Sequence, residues 1–532
     1  MGIYLNPGNE VFSEICESDI YVDKTMMIRE INHFMDRGNK YICLSRPRRF
    51  GKTVAGNMLA AYYSKGCDSF SLFSNLKIGK TQFFKEKLNH YNVIQIDMNS
   101  EYQNTGDKNE LISRLSGKIK KEMVEEFPDV KFAEDDSLAE YILNVYAEKK
   151  ERFIILLDEY DVLVRERVSN TLFQEYLSFL NGLFKSNTLR PAISLAYLTG
   201  ILPVVRDKIQ SKLNNFREYT VLQAGILSEF MGFTKEEVKK LCMEHGTDFE
   251  ECRRWYDGYH LKGYEIYNPE SVVLSIMNDS FGSYWGKTSS YEVISDRIRQ
   301  NFEGTRDGVI RMLAGESLDV NVTGYLNTMD SFTDRDDLFT YLIHLGYLAY
   351  DQEDSTGFGT CRIPNKEVRQ EWINALRKVP EEYAVTTQII NSSKELLHDT
   401  WRGNTKAVEE ALDRSHIHVT SNRSYNNEDA LQSAVYLAYI FALNRYTVIK
   451  EMTAGKGFAD VVFIPFYEGD PAMIIELKRN DCTESALKQI QERRYFEGLS
   501  HYQGRLLFVG INYDPKEKTH SCKIETFSKE IS

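Results

Sequence analysis

The stretch Tyr41–Thr53, YICLSRPRRFGKT, decides how the N-terminal part of the chain is read. Tyr41–Leu44 is an apolar run the length of a short buried strand. A basic loop follows it, and AGNMLAAYYSKG beyond the loop reads as a helix. Strand, loop and helix in that order aim backbone N–H groups and a helix N-terminus at anionic oxygens, which is what a phosphate-binding loop requires. Lys52 is placed to reach the β- and γ-phosphates of a nucleotide, Thr53 to ligate Mg2+ through its hydroxyl, and Gly51 to let the backbone come close. The usual first glycine is replaced by Arg46, and the loop is basic through Arg48 and Arg49 up to Phe50. A basic surface turn opening a helix is the competing reading.

Further along, Phe153–Leu157 (FIILL) is a continuous apolar run, as expected of a buried parallel strand, and it ends in Asp158-Glu159. A carboxylate there would hold Mg2+, and the adjacent Glu159 could polarise an attacking water. A strand followed by a solvated acidic turn is the plainer alternative. Val93–Asp97 and Ile193–Leu198 are two more strand candidates. The second ends at Thr199, either a sensor of the γ-phosphate or a threonine closing a turn. Asn109–Glu126 and Thr171–Lys185 supply crossover helices, so residues 1–218 are expected to form a doubly wound parallel α/β sheet of the P-loop type. Arg206 and Arg217 are candidates for an arginine reaching a nucleotide in the same chain or in a neighbouring copy, which leaves homo-oligomerisation open.

Residues 219–390 read as mainly helical and chemically quiet. Their densest aromatic stretch, WYDGYHLKGYEIYNP (Trp255–Pro269), could stack on bases but fits the packing of an interior better. Residues 391–532 carry a second constellation. Asp460 stands near the start of the strand Ala459–Ile464, and a second strand, Ala472–Lys478, holds Glu476 and Lys478. Alternation puts those two side chains on one face and Ile475 and Leu477 on the other, and pairing the strands brings Asp460 beside Glu476. Two carboxylates can hold one or two Mg2+ ions, and a lysine can orient the nucleophile or neutralise developing charge. A bare ExK on an edge strand is common, but here a helix opened by Glu428, a further possible metal ligand, precedes the strands. The helix Thr483–Tyr495, with Gln489 near the site, and the strand Arg505–Ile511 follow them. An α/β domain with surface charges is the alternative.

Bulk properties narrow the class. The chain has 532 residues, 42% of them apolar, a net charge of −13 and no Pro- or Gly/Ser-rich segment, so it is expected to be folded throughout and not to coat nucleic acid nonspecifically. Its longest wholly apolar run, Ala434–Leu443, is about half a membrane span. The opening MGIYLNPGNEVF has neither a basic flank nor an apolar signal core, and the eight cysteines are scattered. A cytoplasmic protein with reduced thiols and no membrane partner is expected.

These motifs together resemble the bacterial AAA-ATPase-like proteins fused to a PD-(D/E)xK nuclease-superfamily domain. The resemblance rests on YVDKT (Tyr21–Thr25), RPRRFGKT (Arg46–Thr53), LLDEYD (Leu156–Asp161), TGILPV (Thr199–Val204), WYDGY with YNP (Trp255–Pro269), LGYL (Leu345–Leu348), IPN (Ile363–Asn365), the Asp460/Glu476/Lys478 set, and Gln489, Ile490 and Tyr495. It implies that the arginine-rich loop is the family's ordinary form. It further implies that Lys52, Thr53, Asp158 and Glu159 stand at the nucleotide positions and Asp460, Glu476, Lys478 and Gln489 at the nuclease positions, with Glu428 matched less closely. The expected protein is an ATP- and Mg2+-dependent nuclease, with DNA expected ahead of RNA. The alternatives are an ATP-driven switch whose nuclease-like domain only binds nucleic acid or a partner, and a small-molecule phosphotransferase, which Glu159 disfavours.

Overall fold

The computed structural model describes the backbone of residues 2–204, 215–285, 292–299, 302–313, 315–325, 332–352, 356–419, 428–454, 457–467, 469–495, 499, 502 and 504–527. Some side chains within these ranges, among them 380–386, 416–419 and 428–430, lie outside the description. The chain divides into two compact units. One comprises Met1–Ser289 with Asp319–Glu367, the other Ser290–Leu318 with Val368–Ser532.

The first unit is built on a five-stranded parallel sheet of β1 (Tyr41–Ser45), β2 (Asn92–Asp97), β3 (Phe153–Asp158), β4 (Ile193–Gly200) and β5 (Arg217–Tyr219), in the order β2-β3-β4-β1-β5. Alternation along each strand feeds two cores. Tyr41, Ile94, Ile155 and Leu198 face one, with the helices Leu111–Glu126 and Asn170–Phe184; Ile42, Val93, Leu156 and Tyr197 face the other, with the helix Lys52–Tyr63. Helices on both faces explain why these strands are apolar throughout. The opening segment has a place here: Asn6 donates to Val93 O at 2.7 Å and Gln95 to Tyr4 O at 2.9 Å, so the chain start covers the outer edge of β2.

Around this sheet the first unit adds helices, as expected of the middle stretch, and with them two small three-stranded sheets. β6 (Phe233–Thr234), β7 (Tyr259–Leu261) and β8 (Tyr264–Tyr267) form one, and β9 (Leu318–Asn321), β10 (Ala349–Gln352) and β11 (Phe358–Arg362) the other. The β7–β8 hairpin turns on Lys262 and Gly263, both at positive φ (50° and 87°), as a two-residue hairpin loop demands. Its strands are too short for periodicity to separate them from helix.

One contact ties this region to the loop that follows β1. Gly346 closes the helix Arg335–Leu345 at φ +84°, and a Cβ there would meet Pro47 Cβ at 2.7 Å and the Trp285 ring at 3.0 Å. Gly346→Ala is therefore expected to cost about 2–4 kcal/mol through steric overlap and left-handed strain. Thermal unfolding of the first unit would show the loss.

In the second unit, β12 (Tyr446–Ala454), β13 (Gly457–Pro465), β14 (Ala472–Arg479), β15 (Leu506–Asp514) and β16 (Thr519–Phe527) form one sheet in chain order. All neighbours are antiparallel except β14–β15, which are parallel and joined through the helix Thr483–Glu492. Met473, Ile475 and Leu477 of β14 face a core shared with the helices Pro380–Arg402, Thr405–Val419 and Glu428–Ala438. Ala472 and Ile474 face the other side, under Leu487 and Ile490. Glu476 continues that second face.

Candidate functional site

In the first unit, β1 ends directly below the loop Arg46–Gly51, and Gly51 at φ +87° turns the chain into the helix Lys52–Tyr63. The register places Thr199 beside Leu44 at the ends of β4 and β1, and Asp158 closes the adjacent β3. Three side chains meet there. Thr53 Oγ1 donates to Asp158 Oδ2 at 2.6 Å, and Thr199 Oγ1 donates to Asp158 Oδ1. Lys52 is buried and its Nζ donates to Arg46 O at 3.1 Å and Pro47 O at 2.9 Å. Burial pulls its pKa down, while Glu159, Asp158 and Asp161 oppose that shift. A cleft of about 620 Å3 opens over the loop, lined among others by Arg48, Gly51, Lys52, Thr53 and Glu159.

The remaining loop residues divide by role. Arg48 is exposed in the cleft. Arg46 is wholly buried, and its Nη1 donates to Ser45 O and Tyr219 O at 2.8 and 2.9 Å, so its contacts are with the sheet and not with the cleft. Arg49 donates to Tyr284 O at 2.6 Å and pairs with Glu270 at 3.2 Å. Phe50 is buried edge-on to Tyr259, with ring centroids 5.3 Å apart. Of the two arginines suggested for a nucleotide contact, Arg206 lies outside the described residues, and Arg217 on β5 stacks over Phe34 at 5.8 Å.

The second unit gathers its own set. β13 pairs with β14 through Val461↔Ile475, so the next position sets Asp460 against Glu476. Asp460 Oδ2 accepts from Leu477 N at 2.7 Å. Glu476 Oε1 accepts from Lys478 Nζ at 3.0 Å and from Gln489 Nε2. Gln489 Oε1 accepts from Lys478 Nζ at 2.7 Å, and Gln489 Nε2 donates to Tyr495 OH at 3.0 Å. Glu476 Oε2 is buried without a hydrogen-bond partner among the described residues. Glu428 opens its helix, but its side chain lies outside the described residues. Among the described residues no group of three or more His, Cys, Asp or Glu side chains is placed around a metal position. The pair Asp460 and Glu476, with one bare buried oxygen, suits an ion such as Mg2+ that keeps much of its water.

Residues 7–210 match the model of a predicted AAA-ATPase family, described as AAA-ATPase-like, and residues 426–522 match that of the PD-(D/E)XK nuclease superfamily. This chain joins an AAA-ATPase-like domain to a PD-(D/E)XK nuclease-superfamily domain. A relative from Azotobacter chroococcum mcd 1, an uncharacterized protein in the vnfD 5′ region, is 26% identical over 399 residues, which is 72% of each chain. Among solved structures, Cdc6p from Pyrobaculum aerophilum aligns over 70% of this chain and 98% of its own at 11% identity and a TM-score of 0.25. AMPPCP-bound DnaA from Aquifex aeolicus aligns over 70% and 92% at 13% identity and 0.26. Overlap that slight carries neither fold nor function over to this chain.

In the AAA-ATPase-like domain, the sequence reading passed over Arg165. Its guanidinium pairs with Glu159 and, at 3.2 Å, with Asp161, and it lines the cleft. The i,i+4 spacing of Asp161 and Arg165 was the available signal. Asp161 in turn accepts from Ile201 N and Leu202 N at 3.1 and 2.9 Å, tying the segment after β3 to the end of β4.

In the nuclease-superfamily domain, burial pushes the Glu476 carboxyl up to about 7; the Asp460 charge adds to this and Lys478 opposes it. In metal-free protein the folded state then binds more protons than the unfolded state between about pH 4.5 and 7. The stabilisation is complete below pH 4.5 and is lost as pH rises through 7, by about 3 kcal/mol. Melts of the second unit in chelator should show that slope. Glu476→Gln should remove it, and Mg2+ should stabilise the wild type at pH 8 but not this variant. No helix among the described residues is long and apolar enough to cross a membrane.

Proposed function

We propose that the protein is an ATP-gated, Mg2+-dependent nuclease acting on DNA. The observation that carries this is Glu476: a buried carboxylate beside Asp460, with one oxygen bare and the other held by Lys478 and Gln489. An oxygen left bare beside a second carboxylate is a place for a cation to bind. Asp460 and Glu476 would hold the metal, which supplies a water of lowered pKa and a counter-charge at the scissile phosphate. Lys478, held between Glu476 and Gln489, puts a fixed cation at the same edge of β14, where it can orient the nucleophile or offset developing charge. Tyr495 restrains Gln489 and so keeps that lysine in place.

Lys52 meets a triphosphate at the first site, Thr53 and Asp158 would hold its Mg2+, and Glu159 polarises water for hydrolysis. The two family domains and their intact polar sets favour one enzyme with a nucleotide-controlled cut. Purified protein is tested on duplex and single-stranded DNA and on RNA with Mg2+ and ATP, beside Asp460→Ala. DNA cleavage that vanishes in the variant supports the reading. Absence of cleavage from the wild type on every substrate, with ATP turnover intact, turns the second domain into a binding module.

A further inference from the structure

The contacts of Arg49 lead from the phosphate-binding loop to one buried carboxylate. Arg49 sits in left-handed backbone at φ +70°. Its Nη1 reaches Tyr284 O and its Nε reaches Glu270 Oε2. The amides of Tyr284 and Trp285 both donate to Glu367 Oε1 at 2.8 Å, and Ser271, next to Glu270, donates to the same oxygen at 2.9 Å. Pro47 and the Trp285 ring also both lie against Gly346, 2.7 and 3.0 Å from where its Cβ would stand.

Glu367 itself is fully buried, and its Oε2 has no hydrogen-bond partner among the described residues. Burial pushes its carboxyl up to about 7, with Arg49 the cation that opposes this. A buried carboxylate with one bare oxygen is costly, and an apolar side chain would fill the volume at less cost. What the glutamate offers in exchange is a single acceptor for three donors. Two of those are consecutive amides of the turn that holds Arg49.

We infer that Glu367 is a positioning residue of the nucleotide site: it fixes the Tyr284–Trp285 turn, and the turn holds Arg49 and Pro47 in the conformation that receives a polyphosphate. This rests on the ATP reading above. It assigns a role to the glutamate that follows the IPN motif, and it makes the stretch Pro269–Trp285 the outer wall of the cleft, to which Pro269, Glu270 and Val273 contribute lining.

The test is a titration of the full-length protein with a fluorescent ATP analogue and Mg2+. Glu367→Ala is expected to weaken binding about tenfold or more, because two backbone amides lose their acceptor. Glu367→Gln keeps an acceptor oxygen and should stay within about threefold of wild type. Glu367→Met fills the volume without an acceptor and should weaken binding as alanine does, which separates positioning from loss of packing. Arg49→Ala is expected to weaken binding about tenfold, and the Arg49→Ala/Glu367→Ala pair about tenfold as well, not about a hundredfold, since both act through one turn. Effects that multiply, or Glu367→Met binding as tightly as wild type, overturn the inference. Wild-type protein that binds no nucleotide removes the ATP reading itself. Wild-type binding that is lost in Lys52→Ala, with every Glu367 variant like wild type, removes only the role of Glu367.

Discussion

Glu476→Gln is expected to reduce DNA cleavage by roughly a thousandfold or more, about 4 kcal/mol of transition-state stabilisation. The substitution keeps shape and volume, so the two cores on either side of β14 stay packed. What it removes is the charge on the Glu476 oxygen that has no donor among the described residues. An amide nitrogen in that position offers no lone pair to a metal. Lys478 also loses its anionic partner, although Gln489 Oε1 still holds it at 2.7 Å. Gln489→Ala should be milder, about 10- to 100-fold, because it removes a group that orients the lysine and the glutamate without acting itself. The graded pair matters: a structural collapse would bring both variants to the same floor. Gel-based cleavage rates, with melting curves to show that each variant is folded, make the comparison.

Lys52→Ala is expected to weaken nucleotide binding by about 10²- to 10³-fold, or roughly 3–4 kcal/mol. Its Nζ is buried and faces the carbonyls of Arg46 and Pro47, so the cation already lies inside the loop that would surround a phosphate. Burial makes that charge expensive, and an incoming polyanion offsets the expense directly. The alanine variant leaves two loop carbonyls without their donor, a cost of about 1–3 kcal/mol to the first unit. Calorimetric titration with ATP and Mg2+ measures the affinity, and a melt of the same sample measures the stability. Thr53→Ala should weaken binding only when Mg2+ is present, since its hydroxyl contacts Asp158 and not the carbonyls that Lys52 occupies.

The parts of the two sites that lie on sheet strands were legible in the sequence. FIILL and ISLAYL could be read as buried parallel strands because helices cover both their faces, and the polar residues Asp158 and Thr199 stand where each run stops. Glu476 and Lys478 were readable from alternation alone, since Ile475 and Leu477 between them face the opposite core. The wall of the cleft over the loop was not legible. Arg49 meets Tyr284 across 235 positions of sequence, and Trp285 meets Glu367 across 82. No local period marks such partners. Their visible traces were motifs without an evident use: LGYL supplies Gly346 against Pro47, WYDGY supplies Tyr259 against Phe50, and IPN places Asn365 to donate to Asp257 O at 2.7 Å. Arg46 shows the converse. Its place in the loop suggested a phosphate contact, yet it lies beneath the loop on the carbonyls of Ser45 and Tyr219, a position that only the pairing of β1 with β5 reveals.

The central claim is that nucleotide at the first site controls cutting at the second. The most direct measurement is the initial rate of cleavage of linear duplex DNA in Mg2+ as ATP is raised from zero, for wild type, Lys52→Ala and Asp460→Ala. The account predicts that the wild-type rate rises and saturates over the ATP range in which the protein binds nucleotide, that Lys52→Ala stays at the ATP-free rate throughout, and that Asp460→Ala does not cut. A wild-type rate that is the same with and without ATP, and unchanged by Lys52→Ala, would contradict it.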